Sequence, residues 1–391
     1  MHVAWWAVNY NRGNVAKDVC ALVGADDALC QEWDTLALAT AAPPFLRPGW
    51  VRAWMAAFAP RRQLQLLTVR RDEQLVALLP VVTRMRQVVA PVNAETPVMG
   101  PLAVDDRAAG ALLPGLLART HHADLRFLPE GDHARALVAE AEARGLRWRC
   151  ETVRRSPYTR VDGDWDTFCR EVLSARRRKR LRRQEEKLAG LGHIDLTVHD
   201  GTVDRVEFLS EGLRLELAGW KGEQGTAVLS RPRTAQFYRS VADWAAEVGI
   251  LRLYFLRLDG QAIAFGYRLE QQGVIYGVKI AYAEKFREYG PGLLLMHGMM
   301  VDAFGRAEVR SVEWQGEADP HKLDFASGVR EQLRLQLFSG GPAGALDQGM
   351  ATAVHTARAE AVRRLSPETR RRVARTFDWV RAAVPGAGTR Q

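Results

Sequence analysis

Three strand-like runs in close succession, stepping through a Gly-Pro-Gly sequence into an apolar helix, restrict the fold more than any other stretch. Residues 251–258, 262–269 and 274–282 are dense in aliphatic and aromatic side chains. Asp259-Gly260 and Gln271-Gln272-Gly273 lie between them and supply hairpin turns. Connections this short join antiparallel neighbours, so the three runs predict a meander. The third is followed by Phe286-Arg287-Glu288-Tyr289-Gly290-Pro291-Gly292, then by apolar residues at helical density from Leu293 to Met300. Gly290 and Gly292 remove side chains where the backbone turns and where a ligand approaches. Pro291 suits the first helical turn. Unpaired amides and the positive end of the helix dipole coincide at such a start, which makes it a phosphate cradle. A bare glycine pair also fits a plain β–α turn, so the surroundings decide between the two readings.

Those surroundings alternate strand and helix patterns. Residues 1–30 carry no clear periodicity. Helical patterns cover 31–37 and 48–58, the latter with Trp50, Trp54 and Phe58 on one face, a stripe that reads as core. A hairpin signal spans 63–69 and 75–82, and β-like pieces cover 86–92 and 98–104. Helix over 106–119, strand over 124–128, helix over 133–144 and strand over 148–153 follow. A long helical pattern spans 164–191, then come a strand (193–198), a helix (203–217), a glycine-rich loop (219–227) and a helix (233–248). After the cradle, 309–314 and 331–338 read as strands, and 346–365 and 367–384 as helices, with a tail from Pro385 to Gln391. This mixture predicts an α/β fold with mixed sheets. The divisions expected are an N-terminal extension (1–29), a first domain (30–160), a second domain carrying the cradle (161–340), and C-terminal helices with a tail (341–391).

Composition matters at one point. The net charge is +9 over 391 residues, and eight positions, Arg176 to Arg183, hold seven of the cations around Leu181. Such a run favours anionic partners: a phosphorylated substrate, tRNA or lipid headgroups. It also fits a solvated connecting helix softened by Glu185 and Glu186. The four cysteines show no metal-ligand spacing, no metal site is expected, and free thiols fit a cytoplasmic protein. No apolar run is long enough to span a bilayer, and the start lacks the features of a signal peptide.

The meander, the Arg287-x-x-Gly290-x-Gly292 loop at a helix start and the strand after it resemble the coenzyme-A-binding half of the GNAT N-acetyltransferases. The wider chain resembles their two-domain CelD/BioF2-like, cellulose-biosynthesis-type branch and, more distantly, the Fem-type peptidoglycan aminoacyltransferases. The stretches that carry this are Glu32-Trp33-Asp34 through Pro48-Gly49-Trp50, Leu79-Pro80-Val81, the basic helix, Gly219-Trp220-Lys221-Gly222, Leu258-Asp259-Gly260-Gln261-Ala262-Ile263-Ala264-Phe265-Gly266 and Pro291-Gly292-Leu293-Leu294-Leu295. The resemblance implies two tandem GNAT-like domains, the second carrying the loop. Two departures concern the acceptor side. The branch often has an Asp before the Pro-Gly loop, where Ala283 follows Tyr282. It often has a Gly-x-x-x-Tyr-Lys segment, where Gly316-Glu317 precedes His321-Lys322.

The same resemblance implies transfer of an acyl group from acetyl-CoA or another acyl-CoA to an amine of a small molecule or amino sugar, in polysaccharide or cell-envelope metabolism. Amides of Tyr289, Gly290, Gly292, Leu293 and Leu294 would hold the pyrophosphate, and Arg287 would add a charged contact. A backbone amide near Val278 to Ile280 would polarise the thioester carbonyl. The base is sought among Glu313, Glu317, Asp319 and His321, and Tyr282 or Tyr276 would reprotonate the leaving thiolate. Trp220 and Lys221 would line the acceptor pocket, and Lys322 would meet an anionic acceptor. Each also has a plain structural reading: surface carboxylate, local ion pair or core aromatic. Two other functions fit the pattern. One is a Fem-like aminoacyl-tRNA-dependent transferase, weakened by the lack of a long coiled-coil insertion; the other is a non-catalytic accessory protein.

Overall fold

The computed structural model describes residues 4–6, 18–84, 87–118, 120–366 and 369. The chain divides into two compact units. The first comprises residues 1–51, 60–155 and 330–391, and the second 52–59 and 156–329. One order of elements occurs twice along the chain: a strand, two helices, three antiparallel strands, a helical segment, and a strand parallel to the third of the three. In the first unit the strands are Asp18–Gly24, Gln65–Arg71, Gln74–Arg84, Gln87–Val89 and, parallel to the last, His122–Pro129. In the second they are Ile194–His199, Leu251–Leu258, Gln261–Gln271, Val274–Tyr282 and, parallel to the last, Ser311–Glu313. The expected mixed α/β architecture is present, and the repeat is internal to the chain.

The meander of the second unit forms for the reasons its turns suggest. Asp259 and Gly260 both have positive φ, 46° and 80°, and so do Gln272 and Gly273, 49° and 75°. Two left-handed residues in a row match the twist of antiparallel strands. Gln261–Gln271 is buried along nearly its whole length, since helices cover both faces. On one face the helix Arg205–Leu217 lies close enough that a side-chain carbon on Gly212 would sit 2.4 Å from the Phe265 ring. On the other, the helix Pro291–Phe304 packs Leu294, Leu295, Met296, Met299, Met300 and Ala303 into a core with Tyr254, Ile263, Val312 and Trp314.

Several local expectations change. Asp18–Gly24, without periodicity in the sequence, is a strand because it pairs along its whole length with Gln65–Arg71. The pattern over 164–191 is two helices, Trp165–Glu171 and Ala175–Ala189. The break has a capping cause: the Ser174 hydroxyl accepts the Arg177 amide, and Arg178 donates to carbonyls of Cys169 and Leu173 at the end of the first helix. The helix over 106–119 is likewise two short segments, Asp106–Gly110 and Leu113–Leu117. Only Leu102–Ala103 of the piece at 98–104 is strand. The C-terminal helix runs Gly341–Arg364, and the one expected over 367–384 lies, Thr369 apart, outside the described residues. Trp50 and Trp54 are buried, as a core stripe requires.

Candidate functional site

The site begins where two parallel strands part. Val274–Tyr282 keeps its antiparallel partner to the end, Tyr282 standing opposite Ala264. Its parallel partner leaves much earlier: Val274, Ile275 and Tyr276 face Ser311, Val312 and Glu313, and no further pair follows. Trp314 instead gives its amide to the Pro157 carbonyl at 3.1 Å. From Gly277 onward the edge of the central strand therefore faces an open V. A bulge falls just beyond its closed end: Tyr267 pairs with Lys279 and Arg268 with Gly277, leaving Val278 as the extra residue. A bulge bends its strand and re-aims its polar groups. Val278 and Ile280 thus lie in the one stretch whose backbone edge has lost its parallel neighbour.

The glycine loop closes the same end. Residues Glu284–Tyr289 form a tight 3₁₀ turn, and Gly290 takes φ 64° and ψ 44°, a left-handed conformation that favours glycine. Pro291 then opens a 14-residue helix. The Gly290 carbonyl accepts the amides of both Leu293 and Leu294 at 3.0 Å. Among the described residues no backbone acceptor meets the Gly292 amide. Gly292 lies against the Tyr282 ring, where an added carbon would be 3.1 Å from Cδ1. Burial, with Glu284 beside it, raises the Tyr282 hydroxyl above the usual phenol range, so it stays protonated. Arg287 is exposed at the rim.

The glycine-rich loop at 219–227 reaches the same strand. Lys221 Nζ donates to the Ile280 carbonyl at 3.0 Å and to Glu216 Oε1 at 2.8 Å. The other Glu216 oxygen accepts the Val228 amide at 2.9 Å. Glu216 is 3% exposed, so one buried carboxylate holds both ends of the loop. Lys221 is thereby a fastener between loop and strand, while Trp220, 41% exposed, does not plug the core. Removing a buried partner strands the other polar groups. Glu216→Ala should therefore destabilise the fold by about 3 kcal/mol. Chemical denaturation checks this, and a loss near zero would contradict the fastening role.

Glu313 is buried at the last paired position before the strands part, with Tyr276 on one side and Tyr158 on the other. Beyond Trp314 the chain turns through Gln315 and Gly316, both left-handed. Lys322 closes this turn, donating to the carbonyls of Gln315 (2.9 Å) and Glu317 (3.0 Å) and standing 3.4 Å from Asp319. Its three protons are committed, and desolvation lowers its pKa, helped by the charge of Arg268. His321 stands exposed on the same turn. Desolvation of its ring, with Lys322 and Arg177 nearby, lowers its pKa, so the neutral imidazole dominates near pH 7.

Two features escape sequence reasoning. Arg268, 4% exposed, sits beneath the closed end of the V. Its Nε has no hydrogen-bond partner, its Nη2 lies 3.9 Å from Met299 Sδ, and burial pushes its pKa down to about 10. The only signal was an arginine in an apolar strand opposite a glycine. The second is the position of the basic helix. Leu181 and Leu188 anchor Ala175–Ala189 in the core, and Gln184 lies over the cradle, its Cγ 3.4 Å from where a carbon on Gly290 would be.

The first unit has no such cradle at the equivalent place. Its short helix starts at Asp105, whose own carboxylate accepts the Ala108 amide at 2.7 Å and is paired with Arg71. That carboxylate occupies the position an anionic ligand would need.

Among the described residues no cluster of His, Cys, Asp and Glu is arranged to hold a metal, and no helix is long and apolar enough to cross a membrane. Residues 175–323 match the family described as an acetyltransferase (GNAT) domain. No curated protein matches the sequence. Among solved structures, FemX is 12% identical and superposes with a TM-score of 0.56, over 80% of this chain and 96% of its own. L-PGS from Bacillus licheniformis is 11% identical, with a TM-score of 0.53 over 83% and 95%. The C-terminal domain of a putative lysylphosphatidylglycerol synthetase from Agrobacterium fabrum is 12% identical, with a TM-score of 0.51 over 84% and 98%. At these identities the likeness is one of fold, and the stretch matching the GNAT acetyltransferase domain takes in the basic helix, the parting strands, the glycine loop and the Lys322 turn.

Proposed function

We propose that the protein transfers an acyl group from an acyl-CoA thioester to the amine of a small molecule or amino sugar. The observation that carries this is the open V: a strand edge freed from Gly277 onward, bulged at Val278, leading straight to a helix start without side chains at Gly290 and Gly292. A pantetheine arm is a slender chain that needs backbone partners, and a freed strand edge offers them. The diphosphate of the donor would meet the Gly292 amide, with Arg287 at the rim; the amides of Gly290 and Leu293, given to the Arg287 and Gly290 carbonyls, would join it only by exchanging those partners. The amides near Val278 and Ile280 would polarise the thioester carbonyl.

Among the candidate bases, Glu313 is favoured by its place at the point of parting, with Glu317 and the neutral His321 on the same arm. Tyr282, kept protonated, suits the donor of a proton to the leaving thiolate. Trp220 and the fastened Lys221 would border the acceptor, and Lys322 would act by shaping its turn. The order of motifs supports a place in the cellulose-biosynthesis-type branch, hence a role in polysaccharide or cell-envelope metabolism.

Acetyl-CoA and longer acyl-CoAs, titrated into the purified protein, should raise Tm, by an amount equivalent to about 2.7 kcal/mol at one hundred times Kd. An amine screen with the best donor should then release free thiol. No shift with any acyl-CoA would sink the proposal. A second reading, an aminoacyl-tRNA-dependent transferase, is favoured only by the exposed basic helix. It requires tRNA binding that falls steeply with salt.

A further inference from the structure

The helix Ala175–Ala189 carries more positive charge than its packing uses. Two of its cations have structural partners: Arg177 pairs with Asp324, and Arg178 caps the preceding helix. Arg176, Lys179, Arg180, Arg182 and Arg183 are all exposed, and none stands in an ion pair among the described residues. The helical repeat sorts them. At about 100° per residue, Arg176, Arg180, Arg183 and Lys187 form one stripe along the helix. The contact between Arg178 and the preceding helix lies on the opposite flank. The anchors Leu181 and Leu188 point into the core between the two.

The stripe has a fixed address. Gln184 lies over Gly290 at the mouth of the cradle, and Arg177 is tied to Asp324 just after the Lys322 turn. Arg180 is one turn from Gln184 towards Arg177 and therefore flanks the mouth of the V, and Arg183 stands beside Arg180 on the stripe. The Gln184 Oε1 atom is buried there without a hydrogen-bond partner. A donor whose diphosphate rests on the Pro291 helix start would bring its nucleoside end out beside this flank. Guanidinium groups match a phosphate monoester in geometry and charge better than any other side chain.

We infer that Arg180 and Arg183 bind the phosphate on the ribose of a coenzyme-A-type donor, so that the protein selects donors carrying that third phosphate. This rests on the donor reading above and narrows it: the diphosphate is held by backbone amides, the ribose phosphate by the basic stripe. The commitment is to this phosphate and not to a nucleic acid, because the stripe adjoins the cradle.

Coenzyme A and 3′-dephospho-coenzyme A, titrated calorimetrically into the full-length protein at low salt, differ only in the group concerned. The wild type should bind coenzyme A roughly tenfold or more tightly, the effect of one charge-assisted contact. The double substitution Arg180→Gln with Arg183→Gln should bring the ratio close to one and leave the affinity for the dephospho form unchanged. Arg182→Gln, on the flank of Arg178 and away from the stripe, should keep the wild-type ratio. Equal binding of both compounds by the wild type would overturn the inference while leaving the acyl-CoA reading intact. Binding of neither would overturn both. Salt-sensitive tRNA binding lost in the double variant, with no discrimination between the two coenzymes, would assign the stripe to RNA instead.

Discussion

Gly292→Glu should abolish donor binding while the protein stays folded. The position is the second residue of a 14-residue helix, beside the Tyr282 ring. A first-turn glutamate is favourable for the helix itself, because its charge meets the positive end of the dipole. For an anionic ligand the same charge is repulsive, and its side chain would stand where the phosphates must approach the backbone. Affinity for acyl-CoA should fall by roughly 100-fold or more, with the ligand-induced rise in Tm lost and the Tm of the free protein little changed. Gly292→Ala should be milder, since one carbon 3.1 Å from a ring edge needs only a small shift of Tyr282. If Gly292→Glu kept the full Tm response to acyl-CoA, the Pro291 helix start would not be the cradle.

Gly277→Ala should strain the fold where the two strands part. A carbon there would lie 2.6 Å from the Arg268 guanidinium and 2.6 Å from the Trp314 carbonyl oxygen. The first can yield in part; the second is backbone, attached to a tryptophan that is itself buried. Both arms of the V meet at this point, so the strain falls on its closed end. Overpacking of this kind costs about 2–3 kcal/mol. Thermal and chemical unfolding should show that loss, with a weaker response to acyl-CoA. Gly349→Ala is the control: it lies inside the helix Gly341–Arg364 with nothing within 4 Å, and should stabilise slightly, by about 0.5–1 kcal/mol. A neutral Gly277→Ala would show that the strands are not closed around Gly277.

How much was legible depends on the range of each interaction. The three antiparallel strands, their two turns and the glycine loop are visible because turn chemistry and periodicity act over a few residues. Asp259-Gly260 and Gln272-Gly273 state their left-handed turns in their side chains, or lack of them. The long pattern over 164–191 misled because a helix period continues across Ser174, and only the capping of two separate ends shows the break. Asp18–Gly24 was illegible because its evidence lies in its partner strand. A lysine in a glycine loop looks available in the sequence, and only the folded chain shows Glu216 and the Ile280 carbonyl holding Lys221.

By itself, then, the sequence determined the α/β class, the meander and the loop Arg287 to Leu295, since each is written in neighbouring residues. Only the tertiary structure decided the rest. It placed the parting of the strands after Tyr276 and Glu313, set Tyr282 against Gly292, buried Arg268 beneath the closed end, and laid Gln184 of the basic helix over Gly290. These are contacts between segments distant in the chain, fixed by packing around a shared core, and no local pattern of residues encodes them.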